Sequence, residues 1–292
     1  MVGWIHTCIS STYFSVSLNG ELHGFFQSSR GLRQGEPLSP YLFVLAMEGL
    51  GGTLKLASSN PLFRFHWRCK QNSIINLSFV DDLMLFCKAN LASVTIIKDA
   101  LDSFSCISGL TINQDKSLVF LSGVKEDLRT AIVNCLEFKQ GTLPVNYLGV
   151  PMISSRLTHQ NCLQLVERII SRIKLWTSAS LTYAGRLQLI KSTLFSMQVY
   201  WSSMFILPNS IIRKIESSLA AFLWKGTSLS HTRAKVAWST LCYPLDEGGL
   251  GIKNIKTWNK AATLKYVWRL LTEDSSIWAA WVKSVLLRGR CF

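Results

Sequence analysis

Asp81 and Asp82 are the residues of this chain whose type and spacing point most directly to chemistry. They stand side by side within Ile75-Asn76-Leu77-Ser78-Phe79-Val80-Asp81-Asp82-Leu83-Met84-Leu85-Phe86, between two short apolar runs. The runs are rich in strand formers and too short for helices, which predicts a hairpin with both carboxylates at its bend. A tight bend favours Asn-Gly or Asp-Gly, and neither is present. Two carboxylates roughly 5 Å apart repel by about 3 kcal/mol at an effective dielectric near 20, and by less than about 1 kcal/mol in water. Either the turn is well solvated or a cation neutralises it. A hard divalent cation such as Mg²⁺ takes oxygen ligands, often only one or two carboxylates plus substrate phosphates. A solvated acidic turn is the default for an arbitrary Asp-Asp. The flanking strands and the basic balance of the chain favour a metal here.

The elements that must position this pair follow from the pattern on either side. Phe14–His23 alternates around Asn19-Gly20, a hairpin signal. Arg30-Gly31-Leu32-Arg33-Gln34-Gly35-Glu36-Pro37-Leu38-Ser39-Pro40 is a glycine-punctuated basic loop entering a helix, with Ser39 as candidate N-cap and Pro40 at the first helical position. That helix, from Tyr41 to about Leu50, is apolar nearly all round and is expected to be buried. Loop amides, Arg33 and the helix terminus together suit a phosphate, whereas Arg33 could equally pair with Glu36. Beyond the acidic hairpin, Val94, Ile97, Leu101 and Phe104 share one helical face that stops at Gly109. Leu110–Asn113 and Leu118–Leu121 read as strands around Gln114–Ser117, with Lys116 either near a ligand or a solvated turn residue. A helix over roughly Glu126–Leu136 precedes a strand or tight turn at Tyr147–Pro151.

The second half turns helical. Leu163, Val166, Ile170, Ile173 and Trp176 form one amphipathic stripe, and Leu187, Ile190, Leu194, Met197 and Trp201 form another. Further helices are expected over Ile211–Trp224 and Ile255–Leu271, separated by a basic, aromatic segment from His231 to Trp238 and by Gly248-Gly249-Leu250-Gly251. The tryptophan and leucine stripes read as core. The expected class is α+β: antiparallel hairpins with helices, then a helical half, with the major boundary near Ile153–Leu157.

Composition bounds the rest. The 292 residues are 48% hydrophobic and 11% aromatic, which excludes a disordered chain. Residues 1–150 hold 12 Lys and Arg against 11 Asp and Glu, while residues 151–292 hold 19 against 6. Nearly all of the +14 net charge is therefore C-terminal, alongside 8 of the 10 tryptophans. Basic residues interleaved with aromatics favour a polyanion, nucleic acid ahead of a membrane surface. No apolar run is long enough for a membrane span, and no basic leader precedes an apolar block, so neither an anchor nor a signal peptide is expected. The 8 cysteines show no Cys-x-x-Cys spacing and read as reduced, mostly buried thiols of an intracellular protein, nuclear or cytoplasmic.

Taken in order, these stretches resemble the reverse transcriptases of plant non-LTR (LINE-type) retrotransposons over nearly the whole chain. Gly31–Pro40 looks like the family's loop before the palm helix, with Glu36 where Asp is more usual. Phe79-Val80-Asp81-Asp82 looks like its catalytic turn, Gly109–Ser117 the following palm segment and Tyr147–Pro151 the primer-contacting turn. Tyr183–Lys191 looks like the thumb region, and Gly248–Gly251 a downstream signature. The resemblance implies a partial polymerase palm with its primer-contacting turn over 1–153, thumb-like helices over 154–205, and a basic, Trp-rich helical region over 206–292. It implies RNA-directed DNA synthesis by two-metal nucleotidyl transfer, with Mg²⁺ as cofactor and an RNA template and DNA primer as partners. On the matching positions, Asp81 and Asp82 are the catalytic metal ligands. Arg33, Gln34, Gly35 and Lys116 would lie near nucleotide or template, and Tyr147, Leu148 and Gly149 near the primer. Arg186, Lys191, Arg233 and Lys235 are candidate nucleic-acid contacts.

The chain departs from that pattern in one respect. Such polymerases use a further metal-binding Asp on a strand upstream of the glycine-rich loop, and residues 1–20 contain no Asp or Glu. The expectation is a truncated, catalytically incomplete polymerase-derived chain. The alternative is a non-catalytic nucleic-acid-binding remnant acting through the basic C-terminal half.

Overall fold

The computed structural model describes residues 2–28, 31–153, 155–177, 181–226, 236–272 and 275–288. The fold is α+β, mixing helices with short two-stranded pairings, and divides into two compact units, residues 1–142 with 280–292 and residues 143–279. No helix among the described residues is long and apolar enough to cross a membrane.

In the first unit, α1 (Val2–Ser10) precedes the hairpin β1 (Tyr13–Leu18) and β2 (Glu21–Gln27). Asn19 and Gly20 close it with φ of +52° and +90°, the paired left-handed conformation that makes Asn-Gly a hairpin former. Next come α2 (Ser39–Ser58), the hairpin β3 (Asn76–Phe79) and β4 (Asp82–Leu85), and α3 (Leu91–Ser108). Gly109 ends α3 in the left-handed conformation, as its position predicts. Then β5 (Leu118–Val119) pairs in parallel with β6 (Lys139–Gln140) across α4 (Glu126–Leu136).

One core holds this unit together. Leu50 and Leu54 of α2 and Ile97, Ala100 and Leu101 of α3 pack with Phe63 and Ile75, and Leu83 and Leu85 of β4 lean on the same cluster. Two sequence expectations change here. The N-terminal half of α2 is not buried: Tyr41, Val44 and Leu45 are exposed, and only Leu50 and Leu54 reach the core. An all-apolar helix surface cannot all be buried when the partner helix covers only one side. Leu110–Asn113 is irregular rather than a strand, because Asn113 diverts the backbone into a turn. Its carbonyl accepts from the Ser117 amide and hydroxyl, and its side chain accepts from the Lys116 amide.

The second unit opens with the hairpin β7 (Val145–Tyr147) and β8 (Val150–Met152), followed by α5 (Leu163–Thr177). A continuous rod runs from α6 (Tyr183–Leu189) through a π-turn at Ile190–Leu194 into α7 (Phe195–Met204). Then come α8 (Asn209–Lys225), α9 (Trp238–Leu241) and α10 (Ile255–Thr272). Finally α11 (Ile277–Trp281) spans the division and continues as a π-turn to Leu287. Val166, Ile170, Ile173 and Trp176 of α5 meet Leu187, Ile190, Leu194, Met197 and Trp201 in the core with the apolar face of α8. Apart from half-buried Leu163, which lies outside this cluster, the members of both expected stripes face inward, so Trp176 and Trp201 are core residues.

Candidate active site

The β3–β4 register pairs Phe79 with Asp82, Ser78 with Leu83, Leu77 with Met84 and Asn76 with Leu85. The two loop residues are therefore Val80 and Asp81, and Asp82 is the first residue of β4. The expected bend at Asp81-Asp82 shifts by one position. The reason lies in the strand: Leu83 and Leu85 must face the core, and the period of two then fixes Asp82 as the start of that strand. The opposite face of the hairpin carries Leu77, Phe79, Asp82 and Met84, and Leu77 and Phe79 are exposed.

Val80 takes φ of +53°. A β-branched residue in the left-handed region is a true outlier, since Cβ crowds the following carbonyl. Both strands and the core beneath hold it there. The consequence is two exposed carboxylates at the tip of a core-anchored hairpin. The donor set suits a hard divalent cation, which needs oxygen ligands and few carboxylates. Among the described residues, no cluster of three or more His, Cys, Asp or Glu is placed to complete a metal site.

The glycine-rich loop enters α2 differently from expectation. Leu38 takes the N-cap position and no side chain caps the helix. The Ser39 hydroxyl instead donates to the Arg33 carbonyl at 2.6 Å, tying the loop back on itself. Gly31 and Gly35 have φ of +82° and +86°, which glycine adopts without strain. Arg33, Gln34 and Gly35 are exposed, and no Arg33–Glu36 ion pair forms among the described residues. The loop and the carboxylates are mounted on one core, since α2 and β4 share it. No hydrogen bond links them.

Lys116 is exposed in the Asn113 turn, while its neighbour Asp115 is held by Lys139 at 3.1 Å. In the second unit, the β7–β8 loop is Leu148-Gly149, with φ of +50° and +77° between the paired Tyr147 and Val150. A Cβ built on Gly149 would lie 3.7 Å from an Arg168 guanidinium nitrogen. Arg168 of α5 thus stands beside this turn, an association that no local pattern announces. Lys191 lies against Gly251, where a Cβ would come 3.7 Å from its ammonium, so the 183–191 and 248–251 motifs meet. Arg186 has an internal task. Its Nε donates to the Leu223 carbonyl at 3.0 Å and Nη1 to the Leu181 carbonyl at 2.8 Å, joining the start of α6 to the last turn of α8. Arg233 and Lys235 lie outside the described residues.

Burial pushes the thiols of Cys87 and Cys162 up to about 11. Cys242 is also raised to about 11, first by burial and then by the Glu216 carboxylate. The seven described cysteines are all free, with Cys69 and Cys162 buried. Cys87, Cys162 and Cys242 are thus unreactive thiols rather than nucleophiles.

Residues 1–152 match the family described as reverse transcriptase (RNA-dependent DNA polymerase). An Arabidopsis thaliana protein named as a ribonuclease H protein is 37% identical over 129 residues, 44% of this chain and 21% of that protein. The 149 kDa protein of Xenopus laevis transposon TX1 is 26% identical over 285 residues, 94% of this chain and 20% of its own length. The Pol polyprotein of the Drosophila melanogaster type-2 retrotransposable element R2DM is 26% identical over 254 residues, 82% of this chain and 22% of its own. The chain spans about a fifth of the length of each.

Proposed function

The chain belongs to the reverse transcriptase (RNA-dependent DNA polymerase) family, and from that premise we propose that Asp81 and Asp82 are the part of its catalytic metal site that this chain contributes. The observation that carries the proposal is the placement of two carboxylates at the tip of a core-anchored hairpin, behind a strained Val80. When bound, a Mg²⁺ pair supplies activation of the primer hydroxyl and stabilisation of the leaving pyrophosphate. Asp81 and Asp82 hold the cations by their oxygens. Arg33, Gln34 and Gly35 flank the nucleotide or template, and Lys116 offers an exposed ammonium to phosphates. Tyr147, Leu148 and Gly149 approach the primer, with Lys191 on the same unit as a nucleic-acid contact. The palm-like part spans 1–153, the thumb-like helices 154–205 and the basic region 206–292. The β7–β8 turn belongs to the second unit with the thumb-like helices, and the carboxylates to the first.

Two carboxylates from one turn, with no third ligand among the described residues, leave the cations loosely held. This chain alone therefore incorporates nucleotide negligibly on an RNA template with a DNA primer. The test is cation binding with Mn²⁺ as a paramagnetic probe, in parallel with primer extension. Weak Mn²⁺ binding that disappears in Asp81→Asn supports the assignment, and binding unchanged in Asp81→Asn and Asp82→Asn refutes it. Robust incorporation by the unsubstituted chain refutes the incompleteness.

A second reading is favoured by the charge distribution: non-catalytic nucleic-acid binding through the C-terminal half. Lys256, Lys260 and Lys265 are exposed on α10. Replacing all three with Ala should flatten the salt dependence of binding, because fewer counterions are released. Salt-independent binding by the unsubstituted chain would rule this reading out.

A further inference from the structure

A cavity of about 310 Å³ lies in the first unit, lined by Trp67, Arg68, Val285, Leu286, Leu287 and Arg288. None of the matched motifs contains these residues. The walls are pinned from two directions. Trp281 Nε1 donates to the Arg68 carbonyl at 3.0 Å, and the Ser284 hydroxyl donates to Asn72 Oδ1 at 2.8 Å. The π-turn that supplies Val285–Leu287 is thus fixed to the loop that supplies Trp67 and Arg68.

The chemistry of the lining is specific. The Arg68 guanidinium sits 4.7 Å from the Trp67 ring centroid, which preorganises both groups. Trp67 is 65% exposed, which leaves indole surface open for stacking. Arg288 lines the cavity too, and among the described residues no Asp or Glu does. A free phosphate has no use for an indole, and an acidic peptide has none for a stacked aromatic–guanidinium pair. One base together with its phosphate uses all three groups: base on indole, phosphate between two planar donor forks.

We propose that this cavity anchors a single-stranded nucleic acid, taking one nucleotide of the strand onto Trp67, Arg68 and Arg288. The inference rests on nucleic acid being the substrate class of the family, but not on the carboxylates or on any cation. It places a strand-holding point outside the template and primer elements assigned above.

The experiment is an anisotropy titration of the full chain with a fluorescein-labelled 12-nucleotide single-stranded RNA, without divalent cation and over a salt series. Trp67→Ala should weaken binding about tenfold, within the range measured for loss of one stacked base, and Trp67→Phe should restore most of it. Arg68→Ala and Arg288→Ala should each lower the log–log salt slope by about 0.7. Lys55→Ala, which removes the same charge from an exposed position on α2, should leave the slope unchanged. Trp67→Ala binding within twofold of the unsubstituted chain, with circular dichroism showing an intact fold, overturns the proposal. So does displacement of the RNA by AMP at the concentration at which the unlabelled 12-mer displaces it, since that identifies a free-nucleotide pocket. The titration contains no divalent cation, so failure of the metal assignment reads out separately, in the Mn²⁺ binding experiment.

Discussion

Val80 is the position where backbone strain can be measured against the chemistry beside it. Its φ of +53° costs a β-branched residue roughly 1–2 kcal/mol relative to a residue that tolerates the left-handed region. Val80 is 63% exposed, so replacing it forfeits only about a third of the burial energy of a valine, about 0.5 kcal/mol. Val80→Asn should therefore stabilise the first unit by about 1 kcal/mol, or about 2–4 °C for a unit of this size. Val80→Gly relieves the same strain but adds about 0.4–1 kcal/mol of unfolded-state entropy, so it should be close to neutral. Val80→Ile should change nothing, since it is equally β-branched. The assay is thermal unfolding followed by near-UV circular dichroism. The transition of the first unit is identified as the one that Leu50→Ala lowers, because Leu50 belongs to that unit's core. If neither Val80→Asn nor Val80→Gly unfolds above the unsubstituted chain, and Val80→Asn falls at or below it, the strain argument is wrong.

Other outcomes are equally definite. Asn259 is buried, donates to the Ser202 and Phe205 carbonyls at 2.7 Å each, and accepts from the Leu207 amide at 2.8 Å. Asn259→Ala orphans three backbone groups and should lower the stability of the second unit by about 3 kcal/mol or more, read by urea unfolding. Gly249→Ala should destabilise the same unit, because its Cβ would fall 2.0 Å from the Tyr243 carbonyl oxygen and only backbone movement can relieve that; an unchanged urea midpoint contradicts the packing. The raised thiols of Cys87 and Cys162 make the folded state hold protons that the unfolded state releases first. Their stabilisation is complete below the ordinary thiol range and is lost as pH rises towards about 11. Melting temperature should fall between pH 8.5 and 10.5, less so in Cys162→Ala, and a pH-independent melt would contradict it.

Local signals were legible wherever one residue type decides the geometry. Asn19-Gly20 predicts its hairpin and Gly109 predicts the end of α3, since both positions need positive φ. The stripes of α5 and of the α6–α7 rod identify their buried faces because helical period and burial are the same fact there. What escaped depended on partners distant in sequence. Ser39 looks like an N-cap but donates to Arg33, a choice set by how the loop folds back. Arg186 reads as a candidate nucleic-acid contact, and no short motif shows that two carbonyls 5 and 37 residues away also accept from its guanidinium. Arg168 beside Gly149 and Trp281 against Arg68 join residues that no short motif links. The exposed start of α2 escaped because apolarity alone does not say how many sides a partner will cover.

The backbone also bears on the choice that the sequence left open at Asp81-Asp82. A turn whose carboxylates were merely solvated would lose nothing by placing Asn or Gly where φ is positive, and would gain about 1 kcal/mol. This chain keeps Val there and adds a second cost, an outward face on which Leu77 and Phe79 stand exposed beside Asp82. A hairpin with one solvated face ordinarily alternates apolar inside with polar outside. Here only the two carboxylates are polar at the tip, adjacent in sequence and both exposed. Together these features are what the proposed cation site would account for. Local rules fail together at functional sites more often than they fail together by accident. The proposed metal site ties the strain at Val80 and the adjacent carboxylates to a single turn, which is why Val80→Asn and Asp81→Asn test it from two sides.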